Sequence, residues 1–213
     1  MRLISLAAAV CSVFLSASSL AQGWIEYSSR ADFFTINFPG EPTVKDIQYR
    51  TQYSITLPAR VYSYEAGANR YSVIVVDYTS DEKLEAERVK ACRAAGGEGD
   101  TCNDHSRGDL RGAISFATWS FLQRDAKVTH FSWTNADRVE GQELYLTNAD
   151  RSRTLAAIYM HEDRLYILEG TTPAGAPPAA LFYQSMGFLD KEGKRIRYQS
   201  TYSNGFPAPP RAR

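Results

Sequence analysis

The sequence predicts an α+β fold, in which short antiparallel strands are interrupted mid-chain by helices. Three observations predict it. Runs rich in Val, Ile, Tyr and Phe recur between clusters of Gly, Pro, Asn and Asp. The apolar period changes from that of strands to that of helices between residues 80 and 122, then changes back. Finally, Thr134-Asn135-Ala136-Asp137-Arg138 returns as Thr147-Asn148-Ala149-Asp150-Arg151, and Asp163-Arg164 follows at the same interval.

Trp24 to Tyr27 and Phe33 to Phe38 read as short strands, closed by the turn Pro39-Gly40-Glu41-Pro42, which cannot continue a ladder. Thr43 to Tyr53 and Ile55 to Tyr64 follow, and Gly67-Ala68-Asn69 turns the chain. Tyr71 to Tyr78 is the most apolar run and is expected at the sheet centre. Ser80 and Asp81 cap a helix over residues 81–95, with Leu84, Ala91 and Cys92 near one face. A second helix spans about Asp109 to Leu122, its stripe of Ala113, Phe116, Ala117, Ser120 and Phe121 being core packing. The echoed Asn/Asp clusters suit tight turns, so the strands between them form an antiparallel meander ending at Leu165 to Glu169. Pro177 and Pro178 start a last helix, Ala179 to Met186, with Leu181, Phe182 and Met186 facing inward. The chain then runs into a C-terminal extension, 191–213, whose Pro-rich end (residues 206–210) is expected to be disordered or polyproline-like.

The N-terminus carries a basic Arg2, an apolar run from Leu3 to Leu15 and the small-x-small site Ser19-Leu20-Ala21, the pattern of a secretory signal peptide over residues 1–21. A membrane-spanning helix needs ~20 apolar residues, so the protein is expected to be soluble and exported, periplasmic or secreted, with no membrane span. Cys11 follows Val10 rather than a small residue, which argues against lipidation. The remaining chain suits one domain over 22–190. Lys and Arg total 24 against 24 Asp and Glu, and no basic stripe runs along the chain, so nucleic acid is not an expected partner.

Processing would leave Cys92 and Cys102, separated by a Gly-rich stretch that lets the chain turn back. In an oxidising compartment this predicts a disulfide. A redox or metal pair would favour Cys-x-x-Cys spacing, which is absent here. Asp137, Asp150 and Asp163 invite a metal site, but successive turns of a meander lie at opposite ends, ~25–30 Å apart at ~3.3 Å per residue. Asp104 and His105 supply too few ligands. No Gly-x-Ser-x-Gly, His-Glu-x-x-His, Walker or Gly-x-Gly-x-x-Gly motif occurs. No catalytic, metal or cofactor residues are therefore assigned, and the disulfide pair is the single assigned site.

The segment Phe34-Thr35-Ile36-Asn37-Phe38-Pro39-Gly40-Glu41-Pro42 resembles the opening motif of exported PsbP-like proteins. The similarity continues in Arg70-Tyr71-Ser72-Val73 and Arg164-Leu165-Tyr166-Ile167-Leu168, and ends at Ala180 to Met186. This family shares its fold with photosystem II PsbP and with a small Ran-binding nuclear import factor. The resemblance implies a central antiparallel sheet flanked by helices on both faces, an α/β/α sandwich, and carries over no catalytic residues. It implies a non-catalytic binding or assembly module of the cell envelope, whose partner is an envelope protein or small ligand. Exposure of Trp119 or Trp133 would favour that reading. The alternative, an envelope hydrolase, predicts a pocket joining His105 or His130 to a carboxylate with a perturbed pKa.

Overall fold

A computed structural model describes residues 23–212. The expected signal peptide and Cys11 lie outside the described residues. The strands are β1 (Ile25–Ser29), β2 (Phe34–Phe38), β3 (Thr43–Arg50), β4 (Thr56–Ala66), β5 (Asn69–Asp77), β6 (Ala126–Ala136), β7 (Val139–Asn148), β8 (Arg153–His161), β9 (Arg164–Thr172), β10 (Gly187–Leu189) and β11 (Arg195–Ile196). The helices are α1 (Asp81–Ala94), α2 (Ser106–Leu122) and α3 (Ala180–Gln184), with a short 3-10 turn at Gly99–Cys102 before α2.

Seven strands form the large antiparallel sheet in the order β3-β4-β5-β9-β8-β7-β6. The middle position falls to β9, so the run expected at the centre, β5, sits one place off it. The meander turns use their Asp residues as backbone specialists. Asp137 and Arg138 adopt φ of 49° and 69°, and Glu162 and Asp163 adopt 45° and 58°. Two central residues with positive φ give the turn whose twist matches a tight hairpin.

Alternation along each strand sends side chains to two separate cores. One face carries Tyr62, Tyr71, Val73, Val75, Ala157, Tyr159, Tyr166 and Leu168. The other carries Leu57, Ala59, Val76, Leu144, Leu146, Ala156, Ile158, Met160 and Leu165, and packs against Ala113, Ala117 and Phe121 of α2.

The first face corrects the expected layering. The molecule is not a sheet flanked by helices on both sides, because a second antiparallel sheet, β1-β2-β10-β11, covers that face. The physical reason is the apolar content of these short strands. Phe34, Ile36, Phe38 and Phe188 are each fully buried there, and Phe34 meets Tyr62 edge-on at 4.9 Å. The one helix on this side, α3, has five residues. At ~1.5 Å per residue it is too short to cover seven strands spaced ~4.8 Å apart. Within α3 the inward residues are Phe182 and Tyr183, while Leu181 is exposed against expectation.

A buried polar cluster ties the two sheets together. Asp32, in the β1–β2 turn, is 3% exposed and receives both arms of Arg60, at 2.6 and 2.5 Å. The Tyr62 hydroxyl also donates to it, and the Tyr166 hydroxyl donates to the Asp32 carbonyl at 2.9 Å. The C-terminal segment packs back on the large sheet, where Gln199 N–H donates to the Pro210 carbonyl at 2.8 Å and Tyr198 is buried. Among the described residues no helix is long and apolar enough to cross a membrane.

Candidate functional site

The disulfide forms between Cys92 of α1 and Cys102, with the Cα atoms 5.6 Å apart. Gly97 is packed on the bridge: a Cβ there would lie 2.6 Å from Cys102 Sγ and 2.7 Å from Cys92 Sγ, so only glycine fits. Arg88 secures the loop a second time. Its guanidinium donates to Glu85 at 2.8 Å, to the Thr101 carbonyl at 3.1 Å and to the Asn103 carbonyl at 2.5 Å. The stapled loop thus delivers Asp104 and the start of α2 to the start of α1.

Between those two helix starts lies a cavity of about 540 Å³. It is lined by Tyr78 after β5, Thr79, Asp81 and Glu82 of α1, Asp104, Ser106, Arg107 and Leu110 on the α2 side, and Asp163 of the β8–β9 turn. The lining thus holds four acids against one arginine.

The carboxylates here are buried and short of partners. Exposure is 3% at Asp81 and 0% at both Glu85 and Asp109. Asp81 Oδ1, Glu85 Oε1 and both carboxylate oxygens of Asp109 accept no hydrogen bond, and the buried Tyr78 and Thr51 hydroxyls are equally unpartnered. Buried polar atoms in folded proteins are nearly always satisfied, so this concentration of bare oxygens asks for an explanation.

The electrostatics follow from the burial. Loss of solvent, then the neighbouring Asp109, Glu85 and Asp104 charges, push Asp81 up to about 7. Loss of solvent and the Glu85 charge push Asp109 up to about 6, while the nearby Thr51 hydroxyl and His105 pull the other way. Burial and the Asp109 charge push Tyr49 up to about 12, and burial raises Tyr78 as well. Asp104 is lowered instead, because Ser106 donates to it from its backbone N–H and its side chain.

The histidines do not assemble into a catalytic group with this cavity. His105 stacks flat on Tyr53, with centroids 4.5 Å apart and planes at 6°, outside the cavity lining. His130, on the edge strand β6, meets Ser132 Oγ at 3.0 Å and Glu143 Oε1 at 3.1 Å, but both through Nε2. A base that takes a proton on one ring nitrogen needs its orienting carboxylate on the other, so this trio is not a triad. His161 is buried against Phe188 and hydrogen-bonded to the Tyr198 hydroxyl at 2.7 Å. Burial and the Arg211 and Arg164 charges hold it down at about 3. Asp137 and Asp163 turn at one end of the sheet and Asp150 at the other. Among the described residues no group of three His, Cys, Asp or Glu is placed to hold a metal ion.

The chain is similar to a solved structure of the kind its motifs resemble. That structure is the solution structure of cyanobacterial PsbP from Synechocystis sp. PCC 6803, at 14% identity, covering 74% of this chain and 84% of that one, with a TM-score of 0.39. No family model matches the sequence. No curated protein matches it.

Sequence reasoning placed Asp81 and Asp109 as helix-start residues and did not single out Glu85. The available signal was the weakness of α1 as an amphipathic helix. Leu84 is its one large aliphatic residue in the first two turns, and the side chains it buries are Asp81 and Glu85, four apart on one face. Trp119 and Trp133, whose exposure would favour a binding role, are 56% and 59% exposed.

Proposed function

We propose that the protein is a non-catalytic binding module of the cell envelope, exported to the periplasm or beyond, that holds its partner at the acidic cavity between α1 and α2. It is read as one domain over 22–190 followed by the extension 191–213. The n-region, apolar run and cleavage site of residues 1–21 support export, and a disulfide is at home in the oxidising compartment they lead to.

The observation that carries the reading is one acidic cavity, with unpartnered buried oxygens on Asp81 and Tyr78 of its wall and on Glu85 and Asp109 behind it. An unpaired buried polar group costs about 1–3 kcal/mol, more if charged. A partner that donates hydrogen bonds into the cavity recovers that cost on binding. The acceptor-rich set lacks a nucleophile paired to a base, which is why binding rather than turnover is read from it.

The test is site-specific photo-crosslinking in the native envelope. A benzophenone residue at position 107, on the cavity rim, is expected to capture one defined partner, and the same residue at Glu65, on β4, is not. Capture that is equal from both positions, or recovery of the protein in the cytosolic fraction with residues 1–21 intact, refutes the reading.

A further inference from the structure

We propose that β6, an edge strand of the large sheet, joins the β6 of a second copy of this chain in antiparallel register, so that two sheets continue as one. β6 stands last in the strand order, and among the described residues it pairs with β7 alone. Its outer backbone is open. The two-residue hairpin closes on the hydrogen-bonded pair Ala136 and Val139, and alternation then turns the backbone groups of Phe131, Trp133 and Asn135 outward. Ser132 Oγ donates to the Trp133 carbonyl at 3.1 Å, and that oxygen keeps a second lone pair.

The two edges of the sheet are built differently. β3, at the far edge, carries Lys45, Asp46 and Arg50, all exposed. Charge of this kind discourages an incoming strand. On β6 no Lys, Arg, Asp or Glu stands between Lys127 and Asp137. Phe131 and Trp133 stand there instead, 52% and 59% exposed. They lie opposite Leu144 and Gln142, and Gln142 accepts from Thr118 of α2 at 2.5 Å, so both rings are on the α2 side of the sheet. The bulge between Val128 and His130 disturbs the start of the strand and leaves residues 130–136 regular.

The occupant follows from the strand's own sequence. A two-fold axis at Ser132 sets β6 antiparallel to itself. Phe131 then faces Trp133 of the second copy and Trp133 faces its Phe131, so aromatic meets aromatic twice on one side. On the other side His130 faces Thr134 and Ser132 faces Ser132, polar against polar. Moving the axis to Trp133 sets Phe131 against Asn135, and moving it to Phe131 sets Trp133 against Thr129. The chosen register therefore matches the strand to itself best. It also holds the two Lys127 side chains ~34 Å apart, at ~3.4 Å per residue. The net charge of the chain is zero, so no long-range repulsion opposes the pairing. One strand pair buries less than the ~1,600 Å² of a standard interface, so the association is expected to be weak and reversible.

The experiment is sedimentation equilibrium of residues 22–213, which hold every described element and both cores, with the Cys92–Cys102 disulfide intact. A concentration-dependent monomer–dimer equilibrium is expected. Trp133→Lys places a charge on the open edge and is expected to weaken dimerisation about tenfold or more. Trp133 is exposed, so the melting temperature is expected to hold; Phe131→Lys repeats the test should the first variant fail to fold. Ser132→Cys under mild oxidation reads the register. The axis makes residue 132 and its copy a non-hydrogen-bonded pair with Cα atoms ~4.5 Å apart, within disulfide reach. A covalent dimer is expected from Ser132→Cys and none from Thr134→Cys, whose copies stand ~14 Å apart. A wild-type monomer at every concentration up to about 1 mM overturns the inference, including one whose edge takes an added extended peptide instead of a copy. So does a dimer untouched by both lysine variants, and so does bridging from Thr134→Cys as ready as from Ser132→Cys.

Discussion

Two buried carboxylate sites in this molecule are almost equally removed from water and are treated in opposite ways. Asp32 is 3% exposed and receives the two arms of Arg60 and the Tyr62 hydroxyl. Asp109 is 0% exposed and has no arginine on either oxygen, only the nearby Thr51 hydroxyl and His105 to ease its charge. The difference teaches where stability and function part. At Asp32 both carboxylate oxygens accept hydrogen bonds, and the result is a joint between two sheets. At Asp109 and its neighbours Asp81 and Glu85, carboxylate oxygens are buried without hydrogen-bond partners, an arrangement that costs stability.

The comparison breaks most decisively at Arg60. Arg60→Met leaves the Asp32 charge buried without its main partner. It is expected to lower stability by about 3 kcal/mol, the low end for breaking a buried pair because the arginine is partly in solvent. The urea midpoint measures it, and a loss well under half of that would mean Asp32 is not the joint described. Next is the staple that supports the open site. Replacing Cys92 and Cys102 with serine is expected to cost about 2–3 kcal/mol through the entropy of the released loop, read as a lower melting temperature. No effect would show that Arg88 alone holds the loop.

The third test reverses sign. Asp109→Asn removes a charge that has no partner, so it is expected to raise stability by about 1 kcal/mol at neutral pH. A destabilised variant would mean the carboxylate has a partner in solution.

The smallest effect is a slope. Asp81 and Asp109 are both raised, to about 7 and about 6, so the folded protein holds protons that the unfolded chain has released. Their contribution is therefore lost as pH rises through that range and restored as it falls toward the ordinary carboxylate value. His161, held down at about 3, works the other way, losing stability as pH falls below its usual value. Taking the difference between wild type and Asp109→Asn isolates one carboxylate. The advantage of the variant is expected to grow as the pH rises from about 5 to 7. A difference flat in pH would show that Asp109 titrates normally.

Most strands were legible because their signals are local. The Asn/Asp turns and the runs between them give β7, β8 and β9 of the meander to within a few residues. The disulfide was legible for a similar reason, since two cysteines across a short Gly-rich loop have few alternatives. The layering was not legible. Whether Phe34-Thr35-Ile36-Asn37-Phe38 joins the large sheet or founds its own depends on pairing with Gly187 and Phe188, and no local pattern states that partner. The same blindness hid α3's inward face, where Tyr183 is buried because its hydroxyl finds Tyr145 at 3.1 Å, leaving Leu181 outside. The acidic cavity was hidden by respectability. An Asp in the first turn of a helix is the ordinary answer to the helix dipole, so Asp81 and Asp109 raised no suspicion until two helix starts met.

The small sheet draws its strands from both ends of the chain. β2 pairs with β10, and the Asn37 N–H donates to Ser185 Oγ across a separation of 148 residues. Contacts this distant form late. While the chain is being made, the β1–β2 hairpin has no β10 to dock with. The part of the aromatic face that β10 covers, where Phe188 meets Tyr159 and Tyr166, then stands open until the last segment emerges. Completion of synthesis is thus written into the architecture as a closing step, and a chain truncated before Gly187 keeps a sticky face that proteases and chaperones read as unfinished.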